Sequence, residues 1–219
     1  MKRAGGLRGR PEATSALAIE RASFALFAER GFDATTLDDI AAAVGVTRRT
    51  LFRYYQSKND IPWGGFDTTL TRFRDVLDSQ PDDLPLARAV HRAVLQFNEF
   101  PADASPSHRY RMRLILTTPE LQAHSALRYA QWRQVIARYA ARRLRLSVED
   151  LFPQTVGHVS LALAISAYET WLRMDHVDLS VLLDEAMSTL IDYLGSDRHA
   201  GASTEPWRSG PGFGPGVSR

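Results

Sequence analysis

The sequence contains no cysteine, which excludes a disulfide bond, a thiolate zinc site and a cysteine nucleophile. It also has no run of about 18 consecutive apolar residues, the length that a membrane-spanning helix needs. The N-terminus is basic, but the uninterrupted apolar segment of a signal peptide does not follow it. These absences predict a cytoplasmic protein without a membrane partner.

The motifs of common enzyme classes are absent too. We find no GxSxG turn, no Walker loop, no GxGxxG after a strand and no HExxH. His91, His108, His124 and His158 lie on different predicted helices, without the spacing of a metal site. We therefore expect no catalytic residue, no cofactor and no metal. A helical enzyme stays open as an alternative, because an acid-base pair assembled across helices leaves no mark in the sequence.

The small net charge of +2 conceals an uneven distribution of basic residues. Residues 1–58 hold ten Lys or Arg against six Asp or Glu, whereas residues 59–219 hold seventeen against nineteen. The positive excess therefore belongs to the first quarter of the chain, where it would attract a polyanion.

The stretch 36–58, TLDDIAAAVGVTRRTLFRYYQSK, predicts two short helices around a tight turn. Thr36 precedes an apolar set at helical spacing, and Asp39 follows three residues later, as in a capping box. Gly45 suits the turn because it lacks a Cβ, and Thr47 can cap the second helix. The stretch therefore indicates a helix-turn-helix.

The second of these helices, over residues 48–55, would bury Leu51 and Tyr55 and turn a basic face outward. Such a face matches the major groove of DNA, because arginine pairs bidentately with guanine while threonine and aromatic side chains contact thymine methyl groups. A solvated hairpin of two helices is the alternative. The predicted DNA-binding residues are Thr36, Thr47, Arg48, Arg49, Thr50, Phe52, Arg53, Tyr54 and Lys58. The ammonium group of Lys58 is expected to point at a phosphate.

Three segments, FAERGF, TTLDDIAAAVGV and TLFRYYQSK, resemble the DNA-binding domain of TetR-family transcriptional regulators. Two longer segments, RRTLFRYYQSKNDIPWGGFD and RMRLILTTPELQAHSALRYAQWR, resemble the TetR-type regulators associated with mycofactocin gene clusters. The family resemblance implies an all-α fold, with an N-terminal three-helix helix-turn-helix domain and a C-terminal helical domain for ligand binding and dimerisation. It also implies a repressor that binds a near-palindromic DNA operator as a homodimer and is released by a small apolar or amphipathic effector. The narrower resemblance suggests a fatty acyl-CoA as that effector.

The chain divides into four predicted parts. Residues 1–11 form a disordered basic arm, which either enters a minor groove or is an untethered tail. Residues 12–58 form the helix-turn-helix domain, and residues 59–194 form the effector-binding and dimerisation domain. Residues 195–219, rich in Gly, Ser and Pro, form a disordered tail. A DNA-binding protein of this kind is expected at the nucleoid, and a non-specific architectural DNA-binding protein is the alternative to a specific regulator.

Helical spacing and proline breaks predict further helices outside the helix-turn-helix. They cover residues 14–30, 67–79, 86–100, 107–117, 119–146, 153–174 and 179–194. A fourth helix is expected to begin at Lys58, and Pro62, Gly64 and Gly65 then predict a soft joint within it. The alternative is that the glycines only make room for neighbouring aromatic side chains.

The segment VGHVSLALAISAYETWL, residues 156–172, is apolar nearly all round and rich in small residues, which permit close helix packing. The helices over 153–174 and 179–194 therefore predict one half of a four-helix homodimer interface. The alternative is that the first of them is the monomer's own central helix. A dimer would place two recognition helices about 34–36 Å apart, the spacing of successive major grooves.

The effector is expected among the middle helices. The candidate contacts are Phe97, Asn98, Arg109, Arg113, Leu114, Leu127, Arg128 and Trp132. An acyl-CoA would need apolar walls for its acyl chain and cations near the mouth for its phosphates. A packed core and an arginine-rich solvated helix face are the simpler alternatives for these residues.

Overall fold

The computed structural model describes residues 14–101 and 106–196. The predicted arm, residues 1–11, lies outside this part of the chain, as does nearly all of the predicted tail. Within the described part the fold is all-helical, as predicted. The helices are α1 (Ala16–Arg30), α2 (Leu37–Ala43), α3 (Arg48–Leu51), α4 (Phe66–Asp78), α5 (Leu86–Phe97), α6 (His108–Thr117), α7 (Pro119–Leu144), α8 (Leu151–Arg173) and α9 (Leu179–Ser196). None of these helices combines the length and apolarity that crossing a bilayer requires.

Local hydrogen bonds fix the ends of the N-terminal helices. Ser15 caps α1, since its hydroxyl accepts from the backbone N–H of Ala18 at 3.1 Å. Thr36 and Asp39 form the predicted capping box of α2: the N–H of Asp39 donates to the Thr36 hydroxyl at 3.1 Å, and the N–H of Thr36 donates to the Asp39 carboxylate at 2.8 Å. Gly45 turns the chain between α2 and α3 with a φ of +67°, which residues with a Cβ rarely adopt.

The recognition helix α3 is shorter than the predicted helix over residues 48–55. Its α-helical part ends at Leu51, and the N–H of Arg53 then donates to the carbonyl of Thr50, only three residues back. The chain curls inward because the Tyr55 side chain is buried, with 8% of its surface exposed. The element predicted to face DNA is therefore one α-helical turn followed by a tighter turn.

The predicted fourth helix is divided in two. Lys58–Trp63 forms a 3-10 helix, and the N–H and hydroxyl of Ser57 donate to the Asp60 carboxylate at 2.9 and 2.8 Å to cap it. Pro62 has no N–H to donate, and Gly65 has a φ of +75°, so an α-helix cannot continue through this segment. The break predicted at the proline and glycines is present, and α4 starts after it.

Two buried clusters hold the described residues together. One joins α1, α2 and α3 around Ile19, Ile40 and Leu51, and it also takes in Leu114 of α6 and Leu121 of α7. The other lies between α4, α5, α7, α8 and α9 and is larger. Burial of apolar side chains in both clusters is the main stabilising contribution. Because α6 and α7 contribute to both cores, the helix-turn-helix is packed firmly against the C-terminal helices.

One face of α8 packs against other helices of the same monomer. Leu161, Ala164 and Tyr168 are buried in the larger core. Gly157 allows α7 and α8 to approach closely, since a Cβ there would lie 2.8 Å from the carbonyl oxygen of Arg133. This face agrees with the alternative in which α8 is a central helix of the monomer. A second face remains at least partly exposed and keeps the dimer prediction open.

Candidate functional site

The outward face of α3 carries the predicted arginines. Arg48, Arg49 and Arg53 are exposed, and the Phe52 ring beside them is 45% exposed. Arg48 lies 3.4 Å from the Asp38 carboxylate, and its guanidinium lies 5.6 Å from the centre of the Phe52 ring. An exposed ion pair of this kind contributes little free energy, so Arg48 can exchange Asp38 for a phosphate or a base edge at small cost.

The predicted threonines hold the helix-turn-helix in shape. The hydroxyl of Thr47 accepts from the N–H of Thr50 at 3.2 Å, and the two hydroxyl oxygens lie 3.0 Å apart. The hydroxyl of Thr36 donates to the Asp39 carboxylate at 2.6 Å, and this hydrogen bond is the largest of the causes that lower the pKa of Asp39. These hydroxyls are therefore capping groups first, and any contact that they make to DNA comes in addition.

Two predicted DNA contacts are tied to the protein itself. The hydroxyl of Tyr54 donates to the carbonyl of Thr14 at 2.6 Å, although 39% of the residue stays exposed. The ammonium of Lys58 donates to the carbonyls of Phe32 and Thr35 at 2.8 and 3.1 Å, and it lies 4.2 Å from the centre of the Phe32 ring. Lys58 therefore points inward to hold the α1–α2 turn, and not outward to a phosphate as the sequence suggests.

A cavity of about 260 Å³ lies between the helix-turn-helix domain and the C-terminal helices. Its walls include Trp63 from the 3-10 helix, Met112 from α6 and Ile165 from α8. Leu17 and Phe100 also line it and are 49% and 39% exposed, so the cavity reaches the surface near them. Mostly apolar walls with a few convergent polar groups are typical of a small-molecule site.

Three of the predicted effector contacts line this cavity: Phe97, Asn98 and Trp132. Trp132 stacks on Phe73 with ring centres 5.3 Å apart, and Phe97 packs against the same pair. These residues of the middle helices therefore belong both to the packed core and to the cavity wall. The two interpretations given for them from the sequence, core residue and effector contact, do not exclude each other.

The other five predicted contacts lie elsewhere. Arg109 donates to two carbonyls at the C-terminal end of α8, at 2.6 and 2.5 Å. Leu114 is buried in the N-terminal core, and Arg113 is exposed to solvent. Leu127 is 67% exposed, and Arg128 pairs with one aspartate in the 3-10 helix and another in the first turn of α4. Because side chains point in different directions around a helix, these five lie on faces of α6 and α7 that do not line the cavity.

A chain of hydrogen bonds forms one polar wall of the cavity. The side-chain amide N–H of Asn98 donates to the carbonyl of Val94 at 2.7 Å, so its oxygen is the atom that accepts from the Tyr168 hydroxyl at 2.6 Å. The Tyr168 oxygen then accepts from Nε2 of His108 at 2.7 Å. Burial, followed by the charge of Arg111, lowers the pKa of His108 to about 3. His108 is therefore a neutral imidazole at pH 7, with its proton on Nε2.

The cavity also contains a charged pair that joins the two domains. Arg111 of α6 donates to a carboxylate oxygen of Glu20 of α1 at 2.6 Å and to the carbonyl of Pro62 at 2.7 Å. The hydroxyl of Tyr55 donates to the other oxygen of Glu20 at 2.9 Å. Burial, and after it the neighbouring Glu20 charge, raises the pKa of Tyr55 well above its ordinary value. This cluster is the most extensive polar contact between the helix-turn-helix and the cavity.

Sequence reasoning did not find Glu20, although a signal for it exists. Glu20 lies at helical spacing with Ser23, Phe24 and Phe27, all of which are buried. A glutamate within the buried stripe of a helix needs a partner, because a buried carboxylate without one is very costly. That partner, Arg111, lies 91 positions later, so its identity depends on the tertiary fold.

A three-helix unit with a basic outer helix, packed on an all-helical domain with its own cavity, is the architecture of helix-turn-helix transcriptional regulators. Comparison with known proteins agrees with that class. Residues 19–61 match the family described as bacterial regulatory proteins, tetR family, and residues 84–195 match the MftR C-terminal domain. The chain belongs to the TetR family of bacterial transcriptional regulators, and its C-terminal domain is of the MftR type.

Individual relatives are also regulators and not enzymes. The chain is 47% identical over 188 residues to the mycofactocin biosynthesis transcriptional regulator MftR of Mycobacterium tuberculosis, covering 86% of this chain and 93% of that protein. It is 29% identical over 208 residues to the transcriptional regulator TcmR of Streptomyces glaucescens, covering 90% and 92%. Among solved structures, Thermus thermophilus FadR in complex with lauroyl-CoA has a TM-score of 0.52 at 20% identity, covering 91% of this chain and 100% of that chain. SmeT of Stenotrophomonas maltophilia has a TM-score of 0.55 at 19% identity, covering 81% and 92%. The two structural likenesses confirm the fold.

Proposed function

We propose that this TetR-family regulator is a ligand-responsive repressor, which binds a near-palindromic operator as a homodimer and releases it when a small apolar or amphipathic effector occupies the cavity. The observation that carries the proposal is the position of the cavity. Its walls come from α1 and the 3-10 helix on one side and from the C-terminal helices on the other. A ligand with different affinity for two arrangements of these walls shifts the population between them.

The exposed face of α8 supports the homodimer. Val159, Ala162, Leu163 and Ser166 lie at helical spacing and are at least partly exposed, although three of the four are apolar. Small side chains let two helices approach closely, and a two-fold axis would pair each α8 and α9 with their copies. A homodimer through residues 153–174 and 179–194 would present two copies of α3 to one face of the duplex.

The lining of the cavity limits the effector. A volume of about 260 Å³ is slightly below the 300–1,000 Å³ typical of sites for drug-sized ligands. A whole acyl-CoA would not fit inside, but a short or medium acyl chain would, with the coenzyme outside the opening. This supports a fatty acyl-CoA as the candidate effector. The phosphates would not meet Arg109 or Arg113, because one is bound to backbone carbonyls and the other is absent from the cavity wall.

A footprint tests these proposals. The full-length protein is incubated with DNA from upstream of its own gene and the neighbouring genes, in an excess of random DNA, with and without acyl-CoAs of several chain lengths, lauroyl-CoA among them. Protection of one near-palindromic site, lost when lauroyl-CoA is added, is the expected result. Protection that survives every acyl-CoA would reject that effector class and keep the operator claim. Protection without a preferred site would indicate an architectural DNA-binding protein.

A further inference from the structure

Among the described residues that line the cavity, only Glu20 and Arg111 carry a full charge. Their side chains are 11% and 18% exposed, so both charges are largely removed from water. The pair lies one helical turn from Leu17, at the part of the cavity that reaches the surface. The pair therefore lies close to one side of the opening.

Arg111 has more N–H donors than its contacts within the described residues use. A guanidinium carries five N–H donors in a planar fork, and the contacts to Glu20 and to the carbonyl of Pro62 use two of them. The guanidinium of Arg111 lies 5.0 Å from the centre of the Phe24 ring, which covers one of its faces. The N–H edge of the guanidinium is therefore the part that can bind a ligand. Arginine in such a setting is well suited to bind a carboxylate or a phosphate, because the fork matches the geometry of both.

We propose that Arg111 is the cavity's binding site for an anionic group of the effector, and that Glu20 is the internal anion with which this group competes. The proposal rests on the proposed function and adds the chemical class of the ligand: an apolar body that ends in an anion. The anion is the carboxylate of a fatty acid or a phosphate of an acyl-CoA, since both have two oxygen atoms placed to accept parallel hydrogen bonds from a guanidinium.

The competition reaches the recognition helix through Tyr55. Its hydroxyl donates to Glu20, and its backbone N–H donates to the carbonyl of Leu51, the last residue of α3. When a ligand anion takes Arg111, Glu20 loses its counter-charge in a desolvated site, where an unpaired carboxylate is unfavourable. Glu20 must then move, and the Tyr55 hydroxyl exchanges its charged acceptor at 2.9 Å for the more distant carbonyl of Ala16 at 3.4 Å. The arrangement that holds the end of α3 in place is therefore less stable with the anion bound than without it.

Ligand binding in the absence of DNA tests the anion site. Isothermal titration compares dodecanoate, dodecanol and lauroyl-CoA on the wild-type chain and on Glu20→Gln. This variant keeps the shape of the side chain, removes its charge and retains one acceptor oxygen for Arg111, while its amide N–H can donate to the Tyr55 hydroxyl. We expect Glu20→Gln to bind an anionic probe about tenfold more tightly and dodecanol within about twofold, because a charged hydrogen bond no longer has an internal competitor. Glu29→Gln, on an exposed glutamate of the same helix, is the control and should change none of the affinities.

A gain for dodecanoate assigns a carboxylate to Arg111, and a gain for lauroyl-CoA alone assigns a phosphate. Equal changes for dodecanol and both anions, or no change at all, would overturn the anion site.

A second measurement tests transmission. On the footprinted site, the loss of DNA affinity caused by the anionic probe should shrink severalfold in Tyr55→Phe. It should stay the same in Tyr139→Phe, where the lost hydroxyl binds Arg143 and lies in neither the cavity wall nor the DNA-binding face. A full response in Tyr55→Phe would refute the link. A wild-type chain that protects no site, or that binds none of the probes, counts against the proposed function instead.

Discussion

Gly64 provides a direct test of the Glu20 position. It lies between the 3-10 helix and α4 with φ −53° and ψ 137°, angles that alanine adopts without strain. A Cβ at this position would lie 1.9 Å from the Oε1 atom of Glu20 and 3.0 Å from the hydroxyl oxygen of Tyr55. Gly64→Ala therefore needs no change of backbone conformation, and its main effect is to displace the Glu20 carboxylate. Room for that carboxylate explains why a glycine is needed here.

The size of the effect follows from the contacts. The carboxylate must retreat by about 1.5 Å to reach an ordinary contact distance, which breaks the 2.9 Å bond from Tyr55 or disturbs the bond from Arg111. The Tyr55 hydroxyl is then left with the carbonyl of Ala16 at 3.4 Å, and a poorly paired buried hydroxyl costs about 1–3 kcal/mol. A weakened buried ion pair adds to this. Alanine lowers the entropy of the unfolded chain and returns about 0.4–1 kcal/mol. We expect a net loss of about 2–3 kcal/mol in the free energy of unfolding.

Thermal and urea unfolding of four proteins measures this loss: wild type, Gly64→Ala, Glu20→Ala and the double variant. The double variant has no carboxylate to displace. Adding Gly64→Ala to Glu20→Ala should therefore cost nothing or stabilise slightly, and the cycle should give a coupling of about 2 kcal/mol or more. If Gly64→Ala alone is as stable as the wild type, or costs as much in the Glu20→Ala background, the steric account of this glycine is refuted.

Three further substitutions separate structural from DNA-binding roles. Lys58→Met should lower the free energy of unfolding by about 1–3 kcal/mol and leave the salt dependence of operator binding unchanged. If the slope of log affinity against log salt concentration instead falls in magnitude by about one, Lys58 does contact a phosphate. Asp60→Asn should cost about 2–4 kcal/mol, because the amide has one acceptor oxygen and no charge, and cannot replace the carboxylate that caps Ser57 with one oxygen and binds His124 with the other. Burial raises the pKa of Asp60, but the Ser57 hydrogen bond and the His124 charge outweigh it and lower that pKa. The wild type should therefore keep this stabilisation near neutral pH and lose it only as the pH falls below about 4. In Asp60→Asn, unfolding measured over the same acid range should not show this loss. Arg49→Ala should relax operator choice, with a loss of about 1–3 kcal/mol confined to one base position when single-base operator variants are compared.

Features that depend on neighbouring residues could be predicted from the sequence. The capping box of Thr36 and Asp39, the turn at Gly45 and the break at Pro62 and Gly65 all occur where the sequence indicates them. Each is set by the chemistry of a few consecutive residues, so one sequence contains enough information to locate it. The family assignment follows from the same local patterns and is confirmed by the comparisons.

Features that depend on distant residues could not be located in this way. The sequence suggests that Arg109 and Arg113 face the effector, yet Arg111 between them is the arginine of α6 on the cavity wall. Three arginines at alternate positions point to different sides of a helix, so their spacing alone does not select one. The apolar residues Met112, Ile115 and Leu116 share a face with Arg111 and could have indicated it.

Helix α6 connects the cavity to the helix-turn-helix. It is only ten residues long, and its Arg111, Met112 and Ile115 line the cavity. Its other side carries Leu114 in the N-terminal core, and the Tyr110 ring lies against Phe24 of α1 with centres 5.8 Å apart. A helix this short moves as one rigid unit, because its backbone hydrogen bonds resist bending within three turns. A ligand that shifts the cavity face of α6 therefore shifts the contacts of Leu114 and Tyr110 with the helix-turn-helix as well. At the proposed anion site, the Glu20–Arg111 pair would make that shift depend on the charge of the ligand, and not only on its size.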